Sequence, residues 1–326
     1  MIVIKAFPRV HISLLDLGDV TPRRYGGAGF SIDGNGLEVS AKSSKQTLIA
    51  GLDLLDQPAR IEAEKVLSAF RSLQKDCPEL HLGIRRAPPQ HAGFGTKTAL
   101  LLSVLAAANR AAGAGLSAPE IQRLSGRGGA SGVGIHLFFV GGFLCDLGHP
   151  NPEDAPFAPS SAVNPARVPP LACRFDTPST WRFLLMLPQG KRLAGKEETQ
   201  FFQKATPLPR IEVLEAIAAM YHGVVPAVLN ADIAMLDSSL KILHSIGFKR
   251  RELDAQSEAV RRTYYRLSLT PGLAAGLSSL GPLIYAAVDA RDSHATEAAS
   301  RICAEEGGAF LGVFSGRNTG HEIAYE

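Results

Sequence analysis

Apolar residues alternate with polar ones at the start of the chain, where Ile2, Val3 and Ile4 and then Val10, Ile12 and Leu14 read as strand. Further strands are expected at Glu38 to Ala41 and Leu80 to Ile84. Between them, PARIEAEKVLSAFRSLQK (residues 58–75) places Ala63, Val66, Leu67, Phe70 and Leu73 at helical spacing, with charges on the opposite face. A glycine-bearing loop, HAGFGT (91–96), precedes a long small-residue helix from about Lys97 to Ala112. A second helix opens at Ser117, where Ser117 and Glu120 form a capping-box pattern and Pro119 sits in the first turn. After SGRGGASGVGIH (125–136), the apolar stretch LFFVGGFLCDLG (137–148) reads as strand.

Prolines crowd residues 150–178, a composition that interrupts helices and central strands. Periodicity resumes with RFLLMLP (182–188), a buried strand. Helices are expected around 211–223, 253–266 and 294–305, and strands at Leu283 to Val288 and Phe310 to Phe314. The pattern divides the chain into a first domain, residues 1–160, and a second α+β domain, residues 161–326.

The chain has 326 residues, enough for two compact domains. Its net charge is +3, so no bulk basic field points to nucleic acid. Cys77, Cys145, Cys173 and Cys303 lie far apart, which argues for reduced thiols over a disulfide or zinc framework. The N-terminus lacks a signal-peptide pattern, and no uncharged run approaches the roughly 20 residues that span a bilayer. These features predict a cytoplasmic protein that binds neither nucleic acid nor membrane.

Three segments could carry chemistry. In Gly93-Phe-Gly95-Thr96-Lys97-Thr98, glycines let a backbone approach a ligand and a helix N-terminus favours an anion. Thr96 and Thr98 offer hydroxyls to phosphate or magnesium, and Lys97 offers charge. The Walker A spacing is absent, and a tight turn before a core helix explains the pattern equally well. SGRGGASGVG (125–134) places Gly126, Gly128, Gly129, Gly132 and Gly134 around Arg127, as if the backbone wraps a ligand or packs closely. LLDLGDVTPRRYGGAG sets Asp16 and Asp19 beside Arg23 and Arg24, a pattern that serves either a solvated ion pair or an anion site. His91, His149 and His321 adjoin glycine-rich turns.

Together these segments resemble the β-ribofuranosylaminobenzene 5′-phosphate synthases within the GHMP kinase superfamily. Pro89 with GFGTKTA resembles that superfamily's phosphate loop. SGRGGASGVGIHLFFVGGFLCDLGH resembles a hallmark of the synthases, and RVHISLLDL, RRYGGAGFSI, PPLACRFDTPSTWRFLLMLP and SSLGPLIYA extend the likeness almost end to end. The resemblance implies an α+β, two-domain GHMP-kinase-like fold, with an N-terminal unit like domain 2 of ribosomal protein S5 and a ferredoxin-like C-terminal unit. It also implies an enzyme that joins 5-phosphoribosyl 1-diphosphate to a ring carbon of an aromatic or heteroaromatic carboxylate, releasing diphosphate and CO2. Such chemistry serves methanopterin or C-nucleoside biosynthesis.

Carried over by residue, the resemblance implies catalytic roles for Asp16, Arg23, Arg127, Asp146 and His149. It assigns substrate or phosphate binding to His91, Gly93, Gly95, Thr96, Lys97, Thr98, Ser125, Gly128, Gly129 and Ser131. Magnesium is the implied cofactor, with Thr98 as its ligand, and a homodimer is implied as the assembly. Lys97 departs from the family's small residue in that loop, which predicts a changed acceptor. Two other functions fit the same segments: an ATP-dependent small-molecule kinase and a non-catalytic ligand sensor.

Overall fold

The computed structural model describes residues 1–326 apart from 75, 152–154, 161, 164, 166, 191 and 194. In chain order the elements are β1 (Ile2–Ala6), β2 (Arg9–Asp16), β3 (Arg23–Ser31), β4 (Leu37–Ser43), β5 (Leu48–Ala50), α1 (Gln57–Leu73), β6 (Leu80–Arg86), α2 (Thr96–Ala112), α3 (Ala118–Leu124) and α4 (Val133–Val140). Next come β7 (Phe143–Asp146), β8 (His149–Pro150), β9 (Leu171–Phe175), β10 (Trp181–Leu187), α5 (Lys196–Ala205), α6 (Arg210–Ala219), α7 (Val225–Leu229) and α8 (Ile233–Ser245). The chain closes with α9 (Gly247–Asp254), α10 (Glu258–Ser268), β11 (Ala274–Leu277), β12 (Ile284–Asp289), α11 (Ser293–Glu305), β13 (Ala309–Ser315) and β14 (Glu322–Tyr325).

Three sheets organise these elements. One runs β14-β1-β4-β6-β5, one β11-β12-β10-β13, and one β2-β3-β7-β9 with β8 beside β3. Helices α1 and α2 cover the first sheet through Ala63, Val66, Leu67 and Phe70, meeting Leu100, Leu101 and Val104. This is the apolar stripe that the helical spacing predicted. Asp56 caps α1 by accepting from Ala59 N at 2.9 Å. Lys75, the expected last residue of that helix, lies outside the described residues.

The residue 160 boundary does not separate the sheets. Strand β14 returns to pair with β1, and β9 joins β7 from beyond the proline-rich stretch. Ser161, the expected first residue of the second domain, lies outside the described residues. Val10, Ile12, Phe30 and Phe143 share one core with Trp181, Phe183 and Tyr285.

The expected strand at 137–148 is part helix. Leu137 to Val140 belong to α4, and only Phe143–Asp146 form strand. A short apolar run has no periodicity that separates buried helix from buried strand. The run Arg210–Leu229 is long and apolar enough to cross a bilayer by length and composition. It contains a π-helical turn at Met220–Val224, and Ala216, Met220, Val224 and Ala227 pack in the shared core.

Candidate active site

The loop before α2 is shaped by its neighbours. Gly95 caps the helix with φ 76°, a left-handed conformation that suits glycine, and carries no side-chain cap. The first backbone bond of the helix runs from Ala99 N to Gly95 O. The amides of residues 96–98 therefore precede the hydrogen-bond ladder, where helix termini attract anions. A Cβ on Gly95 would lie 2.7 Å from Arg9 Nε, so glycine lets that guanidinium lie against the loop. The Gly93 carbonyl accepts from Arg9 Nη1 at 2.9 Å and from Ser278 Oγ at 2.8 Å.

This loop opens on a cavity of about 770 Å3, lined among others by Arg9, His91, Lys97, Thr98, Arg127 and Ser279. His91 and Ser279 both have φ 56°, a strained conformation for residues with side chains. Arg127 donates to Thr98 Oγ1 at 3.2 Å and to Ser160 O at 3.3 Å. Burial, reinforced by the charge of Arg127, pushes the Arg9 guanidinium down to about 10. Arg127 is also lowered by burial, against the nearby charges of Glu62 and Glu198. Two guanidinium groups held together in a cavity create a field that an anion relieves.

Lys97 pairs with Glu62 Oε1 at 2.6 Å on the cavity rim. The other carboxylate oxygen, Glu62 Oε2, is buried without a hydrogen-bond partner. The Thr96 hydroxyl turns away and donates to Pro89 O at 3.2 Å. His91 Nε2 stands 3.4 Å from Asp56 Oδ2.

The other side chains given roles by the sequence are engaged in hydrogen bonds that shape turns and strand ends. Asp16 accepts from Gly18, Val20 and Thr21 amides at 3.0, 3.2 and 2.8 Å, shaping the turn after β2. Arg23 donates to Leu147 O and Gly148 O at 2.7 and 2.6 Å. Arg24 is buried in a pair with Asp19 at 2.8 Å. Asp146 accepts from Ser131 Oγ, Gly132 N and Gly148 N at 2.8, 3.0 and 2.8 Å. His149 Nε2 bonds Gly128 O at 2.7 Å, and Ser125 Oγ accepts from Arg127 N at 3.2 Å.

The second glycine-rich segment is therefore a braced turn, with Arg127 on this cavity and Gly128 and Ser131 on a smaller chamber beside it. A Cβ on Gly129 would lie 2.5 Å from Val163 O, so close packing accounts for that glycine. Of the five residues given catalytic roles, Arg127 lines the cavity, whereas Asp16, Arg23, Asp146 and His149 serve turns and strand ends. His321 stacks on Phe138, with ring centroids 4.3 Å apart.

Sequence reasoning missed Arg9, His11, Lys249, Glu252 and Ser279. Arg9 and His11 sit in ordinary strand alternation, and Lys249 and Glu252 look like a solvated i, i+3 pair. The structure buries that pair, at 1% and 5% side-chain exposure and 2.5 Å separation. Arg9 and His11 lie in RVHISLLDL and Ser279 in SSLGPLIYA, segments of the family likeness that assign them no role, and no motif marks Lys249 or Glu252. Among the described residues, no cluster of three or more His, Cys, Asp or Glu side chains could hold a metal ion.

Residues 63–142 match the family model described as the GHMP kinases N terminal domain. The homoserine kinase of Cytophaga hutchinsonii superposes with a TM-score of 0.70 at 13% identity, over 99% of this chain and 97% of that one. The phosphomevalonate kinase of Streptococcus pneumoniae, in complex with phosphomevalonate and AMPPNP, gives 0.68 at 10% identity, over 96% and 99%. These likenesses define a GHMP-kinase fold. The β-ribofuranosylphenol 5′-phosphate synthase of Methanothermobacter thermautotrophicus is 30% identical over 324 residues, spanning 98% of this chain and 97% of its own. That of Methanocaldococcus jannaschii is 31% identical over 299 residues, spanning 87% and 88%. The chain belongs to the β-ribofuranosylphenol 5′-phosphate synthase family.

Proposed function

We propose that the protein joins 5-phosphoribosyl 1-diphosphate to a ring carbon of an aromatic carboxylate, releasing diphosphate and CO2 in the cytoplasm. The observation that carries this reading is the convergence of Arg9, Arg127, Lys97 and the α2 N-terminus on one cavity. The relatives are named for a ribofuranosylphenol phosphate, which favours an acceptor ring that bears a hydroxyl.

Diphosphate is the natural occupant of the α2 N-terminus. As the C1′–oxygen bond breaks, negative charge grows on the leaving group, and Arg9 and Arg127, which line the same cavity, would stabilise it. The ring attacks C1′ from the opposite side, so holding both reactants in one enclosed cavity supplies much of the acceleration. Loss of CO2 then restores aromaticity and calls for no strong base.

Magnesium, when bound, would neutralise diphosphate oxygens and assist departure of the leaving group. Thr98 is a poor ligand for it, because the Arg127 guanidinium donates to its hydroxyl at 3.2 Å and would repel a cation there. Glu62 fits better, since Oε2 is a buried, unpartnered carboxylate oxygen on the same wall. An ATP-dependent kinase would need a carboxylate facing its acceptor hydroxyl. Asp16 and Asp146, the sequence candidates, are both occupied with backbone amides, so in a kinase that role would fall to a cavity carboxylate such as Glu62 or Glu252.

The test is diphosphate release from 5-phosphoribosyl 1-diphosphate and magnesium over a panel of aromatic carboxylates. Release that depends on one acceptor, with matching CO2, supports the transferase. No release with any acceptor, together with turnover of ATP, moves the protein to the kinases. Stabilisation by these ligands with neither reaction indicates a sensor.

A further inference from the structure

A second chamber, of about 130 Å3, adjoins the large cavity and shares Arg9, Thr98, Arg127 and Ser279 with it. Its walls are mixed, with more polar than apolar surface from Arg9, His11, Arg127, Ser131, Glu198 and Glu252, and Glu198 and Leu280 line both cavities. Leu14, Ile135, Phe202 and Leu280 supply apolar surface, and Gly128 and Gly134 leave room beside them. A cavity of about 150 Å3 holds one benzene ring, so the chamber has the volume for a single six-membered ring, with polar groups placed to meet its substituents.

Its polar lining is as specific. Glu252, on α9, lines this chamber and not the large cavity. It is only 4% exposed and pairs with the fully buried Lys249, whose Nζ also donates to Leu277 O at 3.1 Å. A buried ion pair is seldom worth more to stability than a well-packed apolar pair. A carboxylate placed on a ring-sized chamber is instead explained by what enters the chamber. At the shared mouth, Arg9 Nε is buried without a hydrogen-bond partner, as a site for an anionic substituent requires.

We propose that this chamber is the slot for the acceptor ring, and that the Glu252 carboxylate accepts a hydrogen bond from the hydroxyl para to the reacting carbon. This rests on the transferase reading above. The acceptor's own carboxylate then lies toward Arg9 and Arg127, at the donor cavity. The ring π pair forms the bond to C1′ while the C1′–oxygen pair leaves with diphosphate. The positive charge on the ring spreads to the para oxygen, whose proton is held against Glu252. The ring–carboxylate bond pair then returns to the ring as CO2 departs, with no net gain or loss of a proton.

The experiment is isothermal titration of the full chain, saturated with inorganic diphosphate, against 4-hydroxybenzoate and 4-methoxybenzoate. A hydrogen bond to a charged acceptor predicts that the hydroxyl compound binds about 10- to 100-fold tighter. Glu252→Gln should narrow that ratio to about threefold or less and leave diphosphate affinity unchanged. Should the lone Lys249 unfold that variant, the double change Lys249→Met with Glu252→Gln keeps the pair neutral and should give the same narrowing. Equal affinities in the unaltered protein, no binding of either compound, or an unchanged ratio in the folded variant would overturn the slot. Diphosphate release by the same preparations separates the two claims. Release indifferent to Glu252 sinks the slot and keeps the transferase. Glu252-dependent binding without release keeps the slot and sinks the transferase.

Discussion

The hairpin of β2 and β3 carries charged residues at both ends, and the two ends are built differently. At the turn, Asp16, Asp19, Arg23 and Arg24 are matched to amides, carbonyls or each other. At the open end, Arg9 keeps a buried Nε without a partner, and Glu62 Oε2 across the cavity is also unpartnered. Buried polar groups are nearly always satisfied, so the exceptions call for an explanation. A satisfied cluster maintains shape, and an unsatisfied one facing a cavity awaits a ligand. The same contrast separates the two glycine-rich segments: one leaves helix amides open to the cavity, and the other is braced by Asp146 and His149.

Four changes would break or sharpen that contrast. Arg127→Ala should lower turnover by about 10²–10³-fold, the scale of losing a donor to developing negative charge, with the circular dichroism spectrum unchanged. Turnover within threefold of the unaltered protein would return Arg127 to a bracing role. Asp146→Ala should act on the fold instead. It strands the donors of Ser131, Gly132 and Gly148, and the urea midpoint should fall by an amount equivalent to about 3 kcal/mol.

A third change is pH. His244 is buried, with Nδ1 bonded to Leu240 O at 2.7 Å and Nε2 accepting from Leu277 N at 3.0 Å. Burial, aided by the charge of Lys249, pushes its pKa down to about 3. The unfolded chain takes up this proton near 6.5 and the folded one does not. The stability that His244 contributes is thus intact above pH 6.5 and is lost as pH falls toward 3. The loss is up to about 1.4 kcal/mol per pH unit for one proton. Urea melts from pH 7 to pH 4 should show that slope, and His244→Gln should flatten it.

The smallest effect concerns Lys97. It lines the large cavity and not the ring-sized chamber, and its partner is Glu62. Lys97→Gly should weaken diphosphate binding several-fold and leave acceptor preference alone, contrary to the expectation from the loop sequence. A shift in acceptor preference without a change in diphosphate affinity would restore that expectation.

The sequence pattern revealed elements where periodicity is strong. Helices α1, α2 and α3 and strands β1, β2, β6 and β10 follow apolar spacing and capping residues. It failed where tertiary contact overrides local preference. Strand β3 hides behind its glycines, because Cβ atoms at Gly27 and Gly29 would strike Ser13 O and Val10 O of β2. Strand β9 emerges from proline-rich chain because β7 supplies its partner. In the site, the glycine loop before α2 and the cavity-lining Arg127 were legible because glycine and arginine are unusual in those settings. Glu252 and Lys249 were not, since the packing of α9 against β2 and beside β11, where Lys249 Nζ bonds Leu277 O, turns a surface-like pair into a buried one.

The central claim is that the unsatisfied end of the hairpin handles phosphoribosyl diphosphate and an aromatic acceptor. Its most direct measurement is diphosphate release from 5-phosphoribosyl 1-diphosphate, with magnesium and 4-hydroxybenzoate, for the unaltered protein beside Arg127→Ala and Arg23→Ala. The account predicts acceptor-dependent release that is lost in Arg127→Ala and retained per folded molecule in Arg23→Ala. Release lost with Arg23 and kept without Arg127 would contradict it.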